Sequence, residues 1–307
     1  HLFGAGHPFM FSLAVALGCD LFDSAAYALF AREGRYLTES GTARLEEMEY
    51  FPCSCPACNK RDPESVRALP QEERQKLLAE HNLYVSFGEL RRIKQAITEG
   101  RLWEHMEMRA HGHPSLLQAL KRVAKYSAYI EKHSPVIKRS GAFFFSSLGL
   151  ARPEVTRYRQ RLFERYSSPR NAKILLLLPQ TSKKPFHESK EHATVMNELK
   201  KTLDTNLDLV HVCTYAAPFG VIPTELDEVY PLSQNLIASP FDIETVTYVA
   251  KQISDYITKT GYDHVVILRE PKVWKGKILL ACKQACRHKP VSYTHLRAHE
   301  TVLDLVC

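Results

Sequence analysis

Apolar positions along this chain follow two rhythms. From residue 172 onward, short unbroken apolar runs alternate with amphipathic stretches. The runs at 172–178, 207–214 and 263–268 predict buried strands, and 190–203, 243–258 and 275 onward predict helices. Strands alternating with helices in this way predict a small parallel α/β domain with helices on both faces of the sheet. Earlier in the chain the spacing is helical, over 64–80, 86–99 and 113–131, the last with Leu116, Leu120, Val123, Ser127 and Ile130 on one stripe. The opening segment differs again. Leu2-Phe3-Gly4 reads as a short strand, 7–17 as a helix carrying Phe9, Phe11, Leu13, Val15 and Leu17 and ended by Gly18, and 20–23 as a second short strand. That order is the tail of a β/α repeat, and in an α/β barrel the carboxyl ends of the strands face the active site. A long loop at 27–42 and a cysteine hairpin follow.

Pro135, Gly141 and Ser146-Ser147 interrupt both rhythms, so a boundary is expected near 134–147. The expected organisation is a barrel-derived region with helices at 1–133, a linker and connecting helix at 134–171, a small α/β domain at 172–290, and a tail at 291–307. The tail (VSYTHLRAHETVLDLVC) changes character abruptly and resembles a translated sequencing-adapter sequence, so it is expected to be non-native. The chain opens at His1, directly on an apolar strand, so the start of a domain is expected to be missing.

Composition sets bounds. A length of 307 residues suggests roughly two domains. The excess of Lys and Arg over Asp and Glu, 41 − 34 = 7, permits a nucleic-acid partner without demanding one. No apolar run approaches the roughly 20 residues of a membrane span, and no signal-peptide pattern appears, so a reducing, cytoplasmic setting and no membrane partner are expected.

The chemistry concentrates in two places. Cys53, Cys55 and Cys58 are bent together by Pro52 and Pro56, and His81 follows on a helical pattern; the four make a closed set for a structural Zn²⁺ with no open coordination position. The other cysteines, Cys19, Cys213, Cys282, Cys286 and Cys307, are scattered without a disulfide framework. Asp23 closes the second short strand and precedes the small residues Ser24-Ala25-Ala26, while Phe3 lies on the neighbouring strand beside Gly4 and Gly6. A carboxylate next to an aromatic face suits attack on an electrophilic sugar carbon that bears a heterocyclic base. Equally, Asp23 caps a turn and Phe3 is core.

The run HLFGAGHP, GCDLFDSAAYALFAREGRYLT, GT, PCSCPAC and the later His81 resembles the second half of the catalytic barrel of the tRNA-guanine transglycosylases, and FDSAAY with AREGRY resembles their archaeal, archaeosine-type branch. The resemblance covers about 2–290. It implies an α/β fold: the C-terminal part of a TIM-like (β/α)8 barrel with a zinc-binding insertion and helices, followed by a small α/β domain. It implies that Asp23 is the nucleophile, that Phe3 and Gly4 hold the base, that Arg32 and Arg35 of an Arg-x-Gly-Arg loop contact tRNA phosphates, and that Cys53, Cys55, Cys58 and His81 bind zinc. The implied reaction exchanges a guanine in tRNA for 7-cyano-7-deazaguanine through a covalent aspartyl-nucleotide intermediate, without a redox cofactor. A second carboxylate, carried elsewhere in the family's barrel, handles the proton, so residues 1–307 are expected to be inactive alone. Family members are often dimers that use the zinc-bearing region, so the resemblance also implies a homodimer as one state open to the full-length protein.

Two other readings stand beside this one. Pro179-Gln180-Thr181-Ser182-Lys183-Lys184-Pro185-Phe186, with Ser189 and His192, resembles a motif of archaeosine synthase, an amidotransferase-like paralogue, in which a cysteine replaces Gln180 and a hydroxyl-bearing aromatic replaces Phe186. The motif keeps Lys184 and has lost its thiol, whereas the synthase branch is expected to lack the aspartate retained here as Asp23. The third reading is a non-catalytic tRNA-binding paralogue. The proline-bracketed stretch 217–231 resembles the archaeal extensions and reads as a rigid loop.

Overall fold

A computed structural model describes residues 1–274, 276–287 and 292–296. The chain divides into two compact units, 1–130 with 138–140, and 131–137 with 141–307.

In the first unit, β1 (Leu2–Phe3) and β2 (Phe22–Asp23) form a parallel pair in the register Leu2 to Phe22 and Phe3 to Asp23. A single 3-10 turn and α1 (Phe11–Ala16) connect them, which is the crossover a parallel pair requires. Among the described residues the pair has no further strand and no barrel closes. The stretch expected as a loop at 27–42 is instead α2 (Ala26–Arg32) followed by an antiparallel hairpin of β3 (Arg35–Leu37) and β4 (Thr42–Arg44). Gly34, at φ +68°, makes the change of direction: its N–H closes on the Ala31 carbonyl at 3.1 Å and the chain leaves the helix as a strand.

Next come α3 (Pro63–Arg67), started by an Asp62/Ser65 capping box, and α4 (Gln71–Thr98). Two helices were expected where α4 is continuous, because His81 and Asn82 interrupt the apolar stripe. Both are fully buried and satisfied by hydrogen bonds to other segments, so the helix runs through them. At about 1.5 Å per residue α4 is roughly 42 Å long. The helices α5 (Leu102–Ala110), α6 (Pro114–Val123) and α7 (Ser127–Lys132) follow, and Leu116, Leu120, Val123 and Ile130 of the expected stripe are buried. A separate core around the cysteine hairpin joins Ala31, Tyr36, Leu45, Val66, Leu77 and Leu78.

The second unit begins with β5 (Ala142–Phe144) and α8 (Pro153–Glu164), both inside the stretch 134–171. Then come β6 (Ile174–Pro179), α9 (Lys190–Leu203), β7 (Val210–Ala216), β8 (Gly220–Pro223), β9 (Asn235–Ile237), α10 (Ile243–Lys259), β10 (His264–Leu268), α11 (Pro271–Trp274), α12 (Lys277–Arg287) and β11 (Ser292–Leu296). One sheet runs β11-β10-β6-β7-β8, parallel except for β8, which turns back antiparallel on β7. Alternation along the strands sorts the core. Leu175, Leu177, Cys213, Tyr215, Val265 and Ile267 pack with α10 and α12, whereas Leu176, Leu178, Val212 and Val266 pack with Leu199 of α9. With both faces covered, the strands read as unbroken apolar runs.

The stretch read as a rigid loop at 217–231 contributes β8, paired from Ala216–Gly220 to Cys213–Pro223. β5 and β9 form a separate parallel pair. Of the segment set aside as a tail, 292–296 is β11, while 291 and 297–307 lie outside the described residues. Among the described residues no helix is long and apolar enough to cross a membrane.

Candidate functional site

The register of β1 and β2 puts Phe3 opposite Asp23, and in a parallel pair residues in register present their side chains on the same face. Both are exposed, Phe3 at 80%. The Gly4 N–H donates to the Asp23 carbonyl at 2.8 Å, closing the pair at its carboxyl end. Beyond that point the two chains cross closely: a Cβ on Gly6 would lie 1.8 Å from Ser24 Oγ, so only glycine fits. Ser24 Oγ accepts the Ala26 N–H at 3.0 Å and starts α2. An unencumbered carboxylate and an aromatic ring thus share one open edge.

Arg32 ends α2 and is exposed; Arg35 begins β3. They flank Gly34, and the seven residues of α2 separate the Asp23 end from the arginine end by about 10 Å. Arg35 donates to Thr42 Oγ1 at 3.0 Å and pairs with Glu33 at 3.2 Å, so its guanidinium is steered by the hairpin.

The cysteine hairpin and α4 bring Cys53, Cys55, Cys58 and His81 together, with all four donor atoms within 4.8 Å of one another. Cys55 Sγ is 3.6 Å from Cys58 Sγ and 3.5 Å from His81 Nδ1, and Cys58 Sγ is 3.4 Å from that nitrogen. A tetrahedron with zinc–sulfur bonds of roughly 2.3 Å and zinc–nitrogen bonds of roughly 2.0 Å has edges of about 3.8 and about 3.5 Å. The donor set therefore could hold a metal ion and is compatible with zinc in type and spacing. His81 Nε2 donates to the Leu37 carbonyl at 2.9 Å, which leaves the Nδ1 lone pair free to ligate. Burial lowers the His81 pKa to about 4, keeping the imidazole neutral, and pushes the Cys58 thiol up to about 12. A bound cation reverses that second effect, because a coordinated thiol is deprotonated.

Around this knot lie residues that sequence reasoning missed. The Tyr36 ring stacks on His81 at 3.6 Å and on Phe51 at 5.3 Å, and its hydroxyl lies 3.5 Å from Cys58 Sγ. Asn82 accepts the Leu37 N–H at 2.8 Å and donates to the carbonyls of Tyr27 and Arg35 at 3.0 and 3.2 Å. The helix that carries His81 therefore also grips α2 and the strand bearing Arg35. Farther along α4, Glu89 is fully buried. It accepts from His105 at 2.8 Å and from Arg109 at 2.8 and 2.7 Å. Burial alone would raise its pKa, but those hydrogen bonds hold it down at about 2. A buried polar residue in the middle of a helix was the only signal for either position.

The Lys184 motif is spent on the fold of the second unit. Lys184 Nζ donates to the Asn235 carbonyl at 2.8 Å, and burial lowers its pKa to about 8. Gln180 Oε1 accepts the Ala217 N–H at 2.7 Å, His192 Nε2 donates to the Pro179 carbonyl at 3.0 Å, and Ser189 caps α9.

Residues 1–115 match the family described as queuine tRNA-ribosyltransferase, and residues 155–303 match a domain of unknown function (DUF5591). The chain is 48% identical over 273 residues to a tRNA-guanine(15) transglycosylase of Methanocaldococcus jannaschii, covering 87% of this chain and 39% of the relative. It is 44% identical to proteins of the same name from Methanococcus maripaludis strain C6, over 85% of this chain and 38% of the relative, and from Methanobrevibacter smithii, over 87% and 40%. The chain thus spans about two fifths of the length of the curated relatives it matches. A solved structure described as AF0587, a protein of unknown function, is 22% identical over 45% of this chain and 42% of that one, with a TM-score of 0.33, too slight a likeness to argue from.

Proposed function

The chain belongs to the tRNA-guanine transglycosylase family, and from that premise we propose that Asp23 is the nucleophile of a base exchange on tRNA. The observation that carries this reading is the register of Phe3 beside Asp23 at one open strand edge. A carboxylate oxygen of Asp23 attacks C1′ of a guanosine; the C1′–N9 bond breaks and its electron pair leaves with guanine, which takes a proton from a second acid. The incoming base, 7-cyano-7-deazaguanine, then gives its N9–H proton to the conjugate base of that acid and attacks C1′ through N9, the ester bond breaks and the Asp23 carboxylate is restored. Two inversions retain the configuration. Phe3 lays the base flat, Gly4 leaves room for it, and Arg32 and Arg35 take phosphates of the tRNA. The product enters archaeosine biosynthesis, and guanine 15, for which the relatives are named, is the nucleotide exchanged.

In this reading β1, α1 and β2 are a piece of a (β/α)8 barrel, the cysteine hairpin is its zinc-binding insertion, and the protein works in the cytoplasm, as a homodimer at full length. The ion held by Cys53, Cys55, Cys58 and His81 is Zn²⁺, and it supplies stability and no chemical step. Amidation at Lys184 is the weaker reading, because the position that would need a thiol is an amide already bonded to Ala217.

The test is covalent trapping. In an enzyme of the relatives' full length carrying this sequence, incubation with tRNA followed by denaturation yields a tRNA–protein adduct, and Asp23→Asn abolishes both adduct and guanine exchange. An adduct that survives in Asp23→Asn overturns the assignment.

A further inference from the structure

The second unit carries a cavity of about 650 Å³ along α8, within the roughly 300–1,000 Å³ of small-ligand sites. Two stripes of α8 and the turn after it line this cavity. Tyr158, Leu162 and Tyr166 recur every fourth residue and make an apolar, aromatic wall; Arg157, Arg161 and Arg165 recur beside them. The rings are held in advance. The Tyr158 hydroxyl donates to the Val221 carbonyl at 2.7 Å, and the Tyr166 hydroxyl is tied to Glu225 and lies 3.1 Å from His211 Nε2. Arg157 fixes the facing wall: it binds Glu131 at 2.5 Å and the Ser134 and Pro135 carbonyls at 3.0 and 2.9 Å, and so anchors the segment that presents Ile137, 79% exposed, to the cavity.

Arg161 and Arg165 are different. Both are exposed, and among the described residues neither side chain has a hydrogen bond or ion pair. Two adjacent guanidiniums without an acidic partner, at the rim of a pre-organised aromatic cleft, ask for a ligand that is flat and apolar at one end and anionic at the other. We propose that this cleft binds a nucleotide, the base against the Tyr158 and Tyr166 wall and the phosphate on Arg161 and Arg165. The inference rests on the reading of the chain as tRNA-acting only for its source, an unstacked nucleotide of the RNA. A free mononucleotide has the same chemistry and is the other source to be distinguished.

The experiment uses the full chain. A tRNA transcript is photo-crosslinked to it and the attachment sites are mapped by mass spectrometry. Affinity is measured across salt concentrations for the parent and for Arg161→Glu/Arg165→Glu, with a thermal melt to show that the variant is folded. Protection of the cleft from tyrosine modification by millimolar GMP is the second arm. Expected are crosslinks on Tyr158 or Tyr166, a roughly tenfold loss of affinity in the double variant, and a salt slope lower by about 1 to 2. Saturable GMP protection that the double variant loses, without RNA crosslinks, supports the site with a free nucleotide as its source. The proposal is overturned if crosslinks map elsewhere and GMP gives no protection, even where the double variant weakens RNA binding through charge alone. That outcome leaves the Asp23 chemistry standing. Failure of the parent to bind tRNA at all, with GMP protection intact, sinks the tRNA reading and spares the cleft.

Discussion

The Cys3His knot and the strand edge that carries Asp23 lie in the same unit and are built on opposite terms. Around the knot the polar atoms outside the donor set are spent: His81 Nε2 on Leu37, Asn82 on three backbone groups, Tyr36 on Cys58. At the strand edge Asp23 and Phe3 stand exposed, with only backbone hydrogen bonds closing the pair. Four protein donors fill a tetrahedron and leave no vacant position for a substrate, so an ion held there would work by position. The hydrogen bonds of His81 and Asn82 show what is positioned, namely the strand from Arg35 to Leu37 and, through the Tyr27 carbonyl, the helix that follows Asp23. Stability is concentrated where no chemistry is expected, and the residues proposed for chemistry are left open.

Chelation tests this contrast most severely, on the proposal that the four donors hold zinc. Binding of a structural zinc is worth on the order of 10 kcal/mol, comparable with the entire stability of a domain. Chelation at neutral pH, or Cys58→Ser, is therefore expected to unfold the first unit, read as loss of helical circular dichroism together with stoichiometric metal release. A folded, unaltered melt after complete chelation would mean that hydrophobic packing around Leu45, Val66 and Leu78 suffices on its own.

The next largest effect falls on Glu89. Glu89→Ala leaves Arg109 and His105 facing a buried gap and is expected to cost about 3–5 kcal/mol in chemical denaturation. Its pH dependence has a definite sign. The carboxyl is depressed from 4.5 to about 2, so its stabilisation is complete above about pH 4.5 and disappears as pH falls toward 2. Glu89→Gln should flatten that acid limb; an unchanged limb would assign acid sensitivity elsewhere.

The same contrast explains what could be read along the chain. The cysteines announce themselves because three soft ligands fall within six residues, and His81 follows close behind. The buried strands β6, β7 and β10 are legible because a sheet covered on both faces leaves unbroken apolar runs. Asn82 and Glu89 are not, because their partners lie 45 and 16 to 20 residues away and only the fold brings them together. Nor are β5 and β9, whose three residues each are too short to show a period. The hairpin of β3 and β4 hid inside an expected loop because the outer edge of β3 is paired with Asn82 of α4, a partner 45 residues away, and the continuity of α4 was hidden by the polar pair His81 and Asn82.

The smallest expected effect is the most discriminating. If the strand edge is free of structural duty, Asp23→Asn and Phe3→Ala should each change unfolding free energy by less than about 0.5 kcal/mol, as exposed substitutions usually do. Phe3 at 80% exposure has little packing to lose, and among the described residues the Asp23 side chain makes no hydrogen bond whose removal would strand a buried partner. A ring exposed in this way is available to stack on a flat base. Stacking on a flat base recovers that surface on binding. Denaturant melts of the two variants therefore separate the readings: near-zero changes, with base exchange lost when the same substitutions are made in an enzyme of the relatives' full length, mark a binding edge, whereas a loss of 2 kcal/mol or more from either would return Phe3 and Asp23 to the structural side of the contrast.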